Sequence, residues 1–354
     1  MTHQDIFVYP EAGIPGPVTP TVSFGVVGLA HGHISGMCSG LVNAGAKIKY
    51  VYDADPKLVE NFVKAFPDVI VCNSEDEVLE KPDIQLIASA DIPAHRADVG
   101  IRAMKNGKDF FVDKAPMTTL EQVEAVRKVC KETGKKYIIF YGESLCDPSA
   151  IFTRDLIRRG VIGQVLHVDG VGPHRHNPPS RAPWFYQREH FGGILIDIVC
   201  HQIHQFLEFT DAGNASVDMG RVSNRCHPEY PEWDDFGDCA LTADNGATGH
   251  FRVDWFTPDG LGKWGDGRML IVGTKGYIEL RKVLNITQDK EGGHVYVVTQ
   301  EGEYYEKVTG KFPITYYHRV LEDVIHRTET AAGQERTFQA ITLAIQAQNM
   351  AMNK

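Results

Sequence analysis

No apolar run in this chain comes near the ~20 residues that a membrane-spanning helix needs, so no membrane partner is expected. A basic surplus is missing too. The 36 Lys and Arg face 46 Asp and Glu, leaving a net charge of −10. Nucleic acid is thereby excluded as a main partner, because phosphate binding needs a concentrated cationic excess. Paired cysteine motifs are absent: the chain has 7 cysteines, Cys38, Cys72, Cys130, Cys146, Cys200, Cys226 and Cys239, and no C-x-x-C. An odd, scattered set fits neither a disulfide framework nor a Cys-based zinc site; it fits a cytoplasmic protein with free, mostly buried thiols. The first ten residues have neither the basic n-region nor the apolar h-region of a signal peptide. Internal repeats and low-complexity segments are lacking as well.

What remains is an ordinary globular composition, 43% hydrophobic and 23% charged over 354 residues, a length that suggests about two domains. Residues 1–20 carry Pro10, Pro15, Pro17 and Pro20 with Gly13 and Gly16 and read as an extended arm. From 21 to 145, short apolar runs alternate with amphipathic helices. The runs are 22–28, 46–53, 69–72, 84–88, 109–113 and 136–140. That alternation means a parallel sheet covered on both faces, a Rossmann-type doubly wound α/β domain. Residues 146–354 form the second domain. It contains strands at 165–171, 217–224, 236–243, 248–256, 268–272, 277–280 and 295–299, a hairpin signal at Asp244-Asn245-Gly246, and closing helices at 316–326 and 337–350. This pattern predicts a large, open, mostly antiparallel sheet.

The turn after the first strand, G-L-A-H-G-H, spans Gly28, Ala30, His31, Gly32 and His33. A dinucleotide fold needs small residues here, where the backbone turns tightly beneath the pyrophosphate at a helix N-terminus. Gly28 keeps the G-x-G-x-x-G pattern, whereas Ala30 and His33 replace its second and third glycines. Asp53 ends the second strand 25 residues after Gly28, where a carboxylate binds the ribose hydroxyls and repels a 2′-phosphate, favouring NAD over NADP. Ser89 and His95 follow the fourth strand, toward the same cleft. Asp113 and Lys114 end the fifth, and a Lys there can hydrogen-bond a substrate hydroxyl.

The stretch F-G-G-I-L-I-D-I-V-C-H-Q-I-H-Q-F, 191–206, opens on two glycines and continues as an amphipathic helix. Ile196, Val199, Cys200, Ile203 and Leu207 make its buried stripe. Asp197, His201 and His204 share a neighbouring face, so that Asp197 would orient the His201 imidazole as a general base.

Together these motifs resemble the Gfo/Idh/MocA family of NAD(P)-dependent, mostly sugar- and polyol-acting oxidoreductases. Further support comes from D-A-D-P around Asp53, I-P-A-H around His95, L-I-R-R-G-V-I-G at 156–163 and V-G-T-K-G-Y-I-E at 272–279. The resemblance implies that Lys114 stands for the Lys of the family's E-K-P motif and that Asp197 and His201 form its D-x-x-x-H pair. It also implies a carbohydrate or polyol substrate and a homo-dimer or homo-tetramer. Departures are D-K-A-P in place of E-K-P, and His204 where an Asp is common. His174, Arg175 and His176, with Arg181 and Trp184 nearby, are substrate-site candidates, Trp184 for stacking on a sugar face.

The expected activity is therefore hydride transfer between a secondary alcohol and nicotinamide: His201 takes the proton, Asp197 orients it, and Lys114 stabilises the alkoxide. Three rivals stand beside it, two that use the same residues differently and one that needs none of Lys114, Asp197 and His201 together. One is glycoside cleavage through transient oxidation with retained NAD. Another is metal-assisted catalysis on Asp197, His201 and His204 with His174 or His176. The last is a non-catalytic NAD sensor.

Overall fold

A computed structural model describes residues 2–9 and 15–353. Six strands form the first sheet: β1 (Ser23–Val27), β2 (Lys47–Tyr52), β3 (Ile70–Val71), β4 (Leu86–Ser89), β5 (Asp109–Asp113) and β6 (Tyr137–Phe140). They lie in the order β3-β2-β1-β4-β5-β6, every pair parallel. All residues of β1, β4 and β5 are buried, as strands covered on both faces require, whereas β3 at the edge is exposed. The strand order reverses between β1 and β4, which opens a crevice at the carboxyl ends of those two strands. Helix Leu120–Thr133 shows how locally the sequence sets its bounds. Thr119 and Gln122 form a capping box at its start, and Gly134, at φ 66°, stops it in the left-handed region.

The second sheet has eight strands: β7 (Val165–Pro173), β8 (Ala215–Ser223), β9 (Phe236–Ala243), β10 (Thr248–Asp254), β11 (Arg268–Gly273), β12 (Gly276–Arg281), β13 (His294–Thr299) and β14 (Gly302–Lys307). Their order is β14-β13-β12-β11-β7-β10-β9-β8, antiparallel throughout except for β7 beside β10. The sequence pattern misses β14, whose Glu and Lys dilute its apolar signal; charges of that kind guard an edge strand against further pairing. Helices Cys200–Thr210 and Gln334–Met352 pack beneath the sheet. Gly220 lets the second of them approach, for a Cβ there would lie 2.1 Å from the Ala347 carbonyl oxygen. On the outer face, Leu270, Glu279, Tyr296 and Tyr305 stand opposite one another across four strands.

Two expectations change. Residues 2–9 of the arm are not extended: His3–Ile6 makes one helical turn with a Thr2/Asp5 capping box. Phe7 and Tyr9 pack on Phe152, and Arg159 donates to the Ile6 carbonyl at 2.7 Å. Pro10 and Gly13 fall outside the described residues. The element at 195–210 is not one regular helix either. Leu195–Val199 is a π-turn that passes into the α-helix at Cys200, and Asp197, His201 and His204 are buried along with the apolar stripe.

Candidate active site

Backbone bonds knit the turns after β1, β2 and β4 around the crevice. Gly28 donates to the Tyr52 carbonyl at 3.1 Å, Ala90 to Gly28 at 3.1 Å, and His31 to Ala90 at 2.8 Å. Gly28 has φ 84°, and a Cβ would meet Asp91 at 2.4 Å, so only glycine suits the position. The helix His33–Asn43 starts at Gly32 with no side-chain cap, and no atom lies within 4 Å of where a Cβ of Gly32 or Gly36 would stand. An uncapped helix start over open space is the cradle that a pyrophosphate occupies. Asp53 is braced at the rim, its two carboxylate oxygens accepting from Leu29 N at 2.6 Å and Asp55 N at 2.8 Å. The residues present therefore fit a dinucleotide. Ser89 is buried at the end of β4, with its hydroxyl oxygen accepting from Asp91 N. His95 is directed to the surface beside His190 and does not border the cavity described next.

Continuous with this crevice is a cavity of about 570 Å³. Lys114, Asp197, His201, His174, Arg175 and Arg181 all line it, although they come from the end of β5, the π-turn, the following helix and the loop after β7. Lys114 Nζ donates to Asp197 Oδ1 at 2.8 Å, both side chains buried. Burial pushes the Lys114 ammonium down, but Asp197 and Asp113 outweigh it and raise its pKa. Burial likewise pushes Asp197 up, and Lys114 overcomes it, holding the carboxyl at about 2. The expectation that Asp197 orients His201 is corrected here: its carboxylate is bonded to Lys114, because the π-turn shifts the helical phase between them.

The carboxylate whose field acts on His201 is Glu143, just past β6. Burial raises its pKa, but Lys282, His201 and His174 bring it below the ordinary carboxylate range. Lys282 Nζ donates to Glu143 Oε2 at 2.9 Å, and His174 Nε2 lies 3.7 Å from Oε1. Burial drives His201 down to about 3, so the imidazole is neutral, and its Nδ1 has no hydrogen-bond partner.

Other candidates are placed elsewhere. His204 is fully buried, its Nδ1 bonded to the Ser144 hydroxyl at 2.8 Å and its ring against Tyr141, closed off from the cavity. Trp184 does not reach the cavity wall; Trp255 and Trp264 line it instead, flanking His174 with ring centroids 5.5 and 4.7 Å away. His176 is sealed in an aromatic cluster, bonded to the Tyr186 hydroxyl at 2.8 Å. The set considered for a metal is thus dispersed. Among the described residues, His31, His33 and Asp113 are gathered closely enough for a cation, with donor atoms within 4.8 Å of one another.

Sequence reasoning missed Glu143, Lys282, Trp255, Trp264 and Arg96. Buried Arg96 donates through NH1 to the carbonyls of Asp113, Lys114 and Ala115, fixing the backbone that carries Lys114. Nothing periodic marks such residues; only the polarity of Glu143, Lys282 and Arg96 beside apolar runs could have drawn notice.

This two-sheet architecture, with a cofactor crevice opening into a cavity that gathers charged side chains among aromatic ones, is that of a dinucleotide-dependent oxidoreductase. The model of an oxidoreductase family with an NAD-binding Rossmann fold matches residues 22–141, and that of the GFO/IDH/MocA C-terminal domain matches 152–279. The chain belongs to the Gfo/Idh/MocA oxidoreductase family, and residues 22–141 are that family's NAD-binding domain. It is 44% identical to a protein from Erwinia carotovora atroseptica SCRI1043, provisionally described as an oxidoreductase; the TM-score is 0.91 over 94% of this chain and 99% of that one. Over 213 residues, 58% of each chain, it is 30% identical to scyllo-inositol 2-dehydrogenase (NAD(+)) of Bacillus subtilis. Over 194 residues, 50% of this chain and 41% of the other, it is 25% identical to Glycosyl hydrolase family 109 protein 1 of Phocaeicola vulgatus. The chain spans about half the length of the curated relatives it matches. No helix of the described residues is long and apolar enough to cross a membrane.

Proposed function

We propose that this protein is an NAD-dependent dehydrogenase acting on a secondary alcohol of a sugar or polyol. The observation that carries the reading is the pairing, on one cavity wall, of a neutral His201 with an unpartnered nitrogen and a Lys114–Asp197 ion pair. Gly28, the uncapped helix start and Asp53 hold the dinucleotide. The nicotinamide, when bound, supplies the hydride acceptor. Lys114, kept charged by Asp197, donates to the substrate oxygen and stabilises the alkoxide. His201 takes the hydroxyl proton, and Glu143 stabilises the imidazolium that results. The alcohol carbon loses a hydride and its oxygen a proton, leaving a ketone, NADH and H⁺.

The test is NADH absorbance with a sugar and polyol panel. His201→Ala should lower turnover by at least about a hundredfold while NAD still binds; wild-type-like turnover would remove the assignment. The similarity to the Phocaeicola glycosyl hydrolase supports a second reading, glycoside cleavage by transient oxidation, elimination and re-reduction with retained cofactor. Glycoside consumed with no net NADH would select it. We further infer a homo-oligomer formed through the outer sheet face around Leu270 and Tyr305.

A further inference from the structure

Nearly every charge that lines the cavity is already balanced. Lys114 is paired with Asp197 at 2.8 Å and Glu143 with Lys282 at 2.9 Å. Asp113 faces Arg96 at 3.5 Å and His33 at 3.0 Å. Arg175 reaches outward to the exposed Asp259 at 3.3 Å. Arg181 is the exception. Among the described residues no carboxylate forms an ion pair with it, yet its place is well fixed. Its Cζ lies 4.4 Å from the Phe185 ring centroid and 4.8 Å from that of Trp255. Its Nε donates to the His176 carbonyl at 3.0 Å, and NH2 makes a longer bond of 3.4 Å to the Arg175 carbonyl. Among the described residues NH1 has no partner in ion-pair or hydrogen-bond contact.

A guanidinium packed against two aromatic rings that meet edge to face, and tied at Nε, is preorganised, and the edge it leaves free has the geometry that accepts a carboxylate. Burial works against the Arg181 charge, and the carboxylate whose field reaches it, Asp197, is already hydrogen-bonded to Lys114; an anionic ligand would supply the direct counter-charge that the protein does not. One guanidinium matches one carboxylate; a phosphate dianion calls for more than one cation. Trp264, which shares the cavity wall with Arg181 and is exposed, offers an apolar face on which a pyranose ring stacks, whereas the Trp255 ring is covered by Arg181 and Trp233.

We propose that Arg181 is the specificity-determining residue of this site and that the sugar held there carries a carboxylate, as a hexuronate or an aldonate does. This rests on the dehydrogenase reading and narrows its substrate class. The oxidation itself is unchanged: hydride to the nicotinamide, proton to His201, ketone formed at a ring or chain carbon, and the carboxylate left intact.

The test is calorimetric titration of the full chain loaded with NADH. The probes are D-glucuronate, D-galacturonate and D-gluconate, each against its neutral counterpart D-glucose, D-galactose or D-glucitol, with D-glucose 6-phosphate as the phosphate arm. At least one acid should bind about ten- to a hundredfold more tightly than its neutral counterpart, the range of a charge-assisted bidentate contact. Arg181→Gln should erase that ratio, and Arg181→Lys should keep part of it, having the charge without the fork. Acids that bind no better than neutral sugars, a ratio that survives in Arg181→Gln, or preference for the phosphate each overturn the proposal. NADH formation separates this from the broader reading. Turnover of neutral sugars without acid preference removes the proposal alone; no turnover and no binding with any probe removes both.

Discussion

Glu143 and Lys282, 139 residues apart in the chain, share a buried ion pair whose carboxylate also faces His201. Removing one member leaves the other charged and unpaired, a loss of about 3–5 kcal/mol. Glu143→Gln should therefore unfold at markedly lower denaturant, and Glu143→Gln with Lys282→Met should recover much of that loss; equal midpoints for the single and double variants would contradict the coupling. His204 provides a second test at this scale. Burial holds its folded pKa at about 4, below the ordinary histidine value of 6.5. For a depressed pKa the sign is fixed: the unfolded chain binds the proton first, so stability is complete above pH 6.5 and is lost as pH falls toward 4. Urea titrations between pH 7 and 4 should show the decline, and His204→Gln should flatten it by about 3 kcal/mol. The histidine was visible in the sequence, but its burial was not, since a polar residue on an amphipathic helix reads as outward-facing until the packing around it is known.

Elements differ in how much of themselves they announce. The strands of the first sheet were legible because apolar runs with Gly and Pro punctuation repeat there; β2 (Lys47–Tyr52) and β5 (Asp109–Asp113) fall within the runs at 46–53 and 109–113. The π-turn at Leu195–Val199 was not, because one extra residue in a turn leaves the composition unchanged while rotating every later side chain. That rotation is why Lys114, Asp197 and His201 were foreseen as a group but not who would bond to whom. Close approach of elements yields further predictions. Gly28→Ala should sharply weaken NAD binding, read by quenching of intrinsic fluorescence, since its Cβ would strike Asp91 beside the crevice. Gly220→Ala should cost about 1–3 kcal/mol of stability by forcing β8 off the helix Gln334–Met352, while NAD affinity is retained. An unchanged unfolding midpoint would show that the helix yields instead.

For the molecule as a whole, a free outer sheet face rich in tyrosine and a chain charge of −10 pull in opposite directions, one toward association and the other toward repulsion. Under the association proposed through this face, Leu270→Glu should shift sedimentation toward the monomer; an unaltered profile would overturn it. The separation of labour along the chain has a further consequence. Lys114, Asp197, Glu143 and His201 sit on the ends of core elements, whereas His174, Arg175 and Arg181 ride on the single loop that follows β7. Exchange of that loop alone would therefore hand the same proton and hydride machinery to a different clientele, so that appetite and chemistry can diverge independently within one lineage.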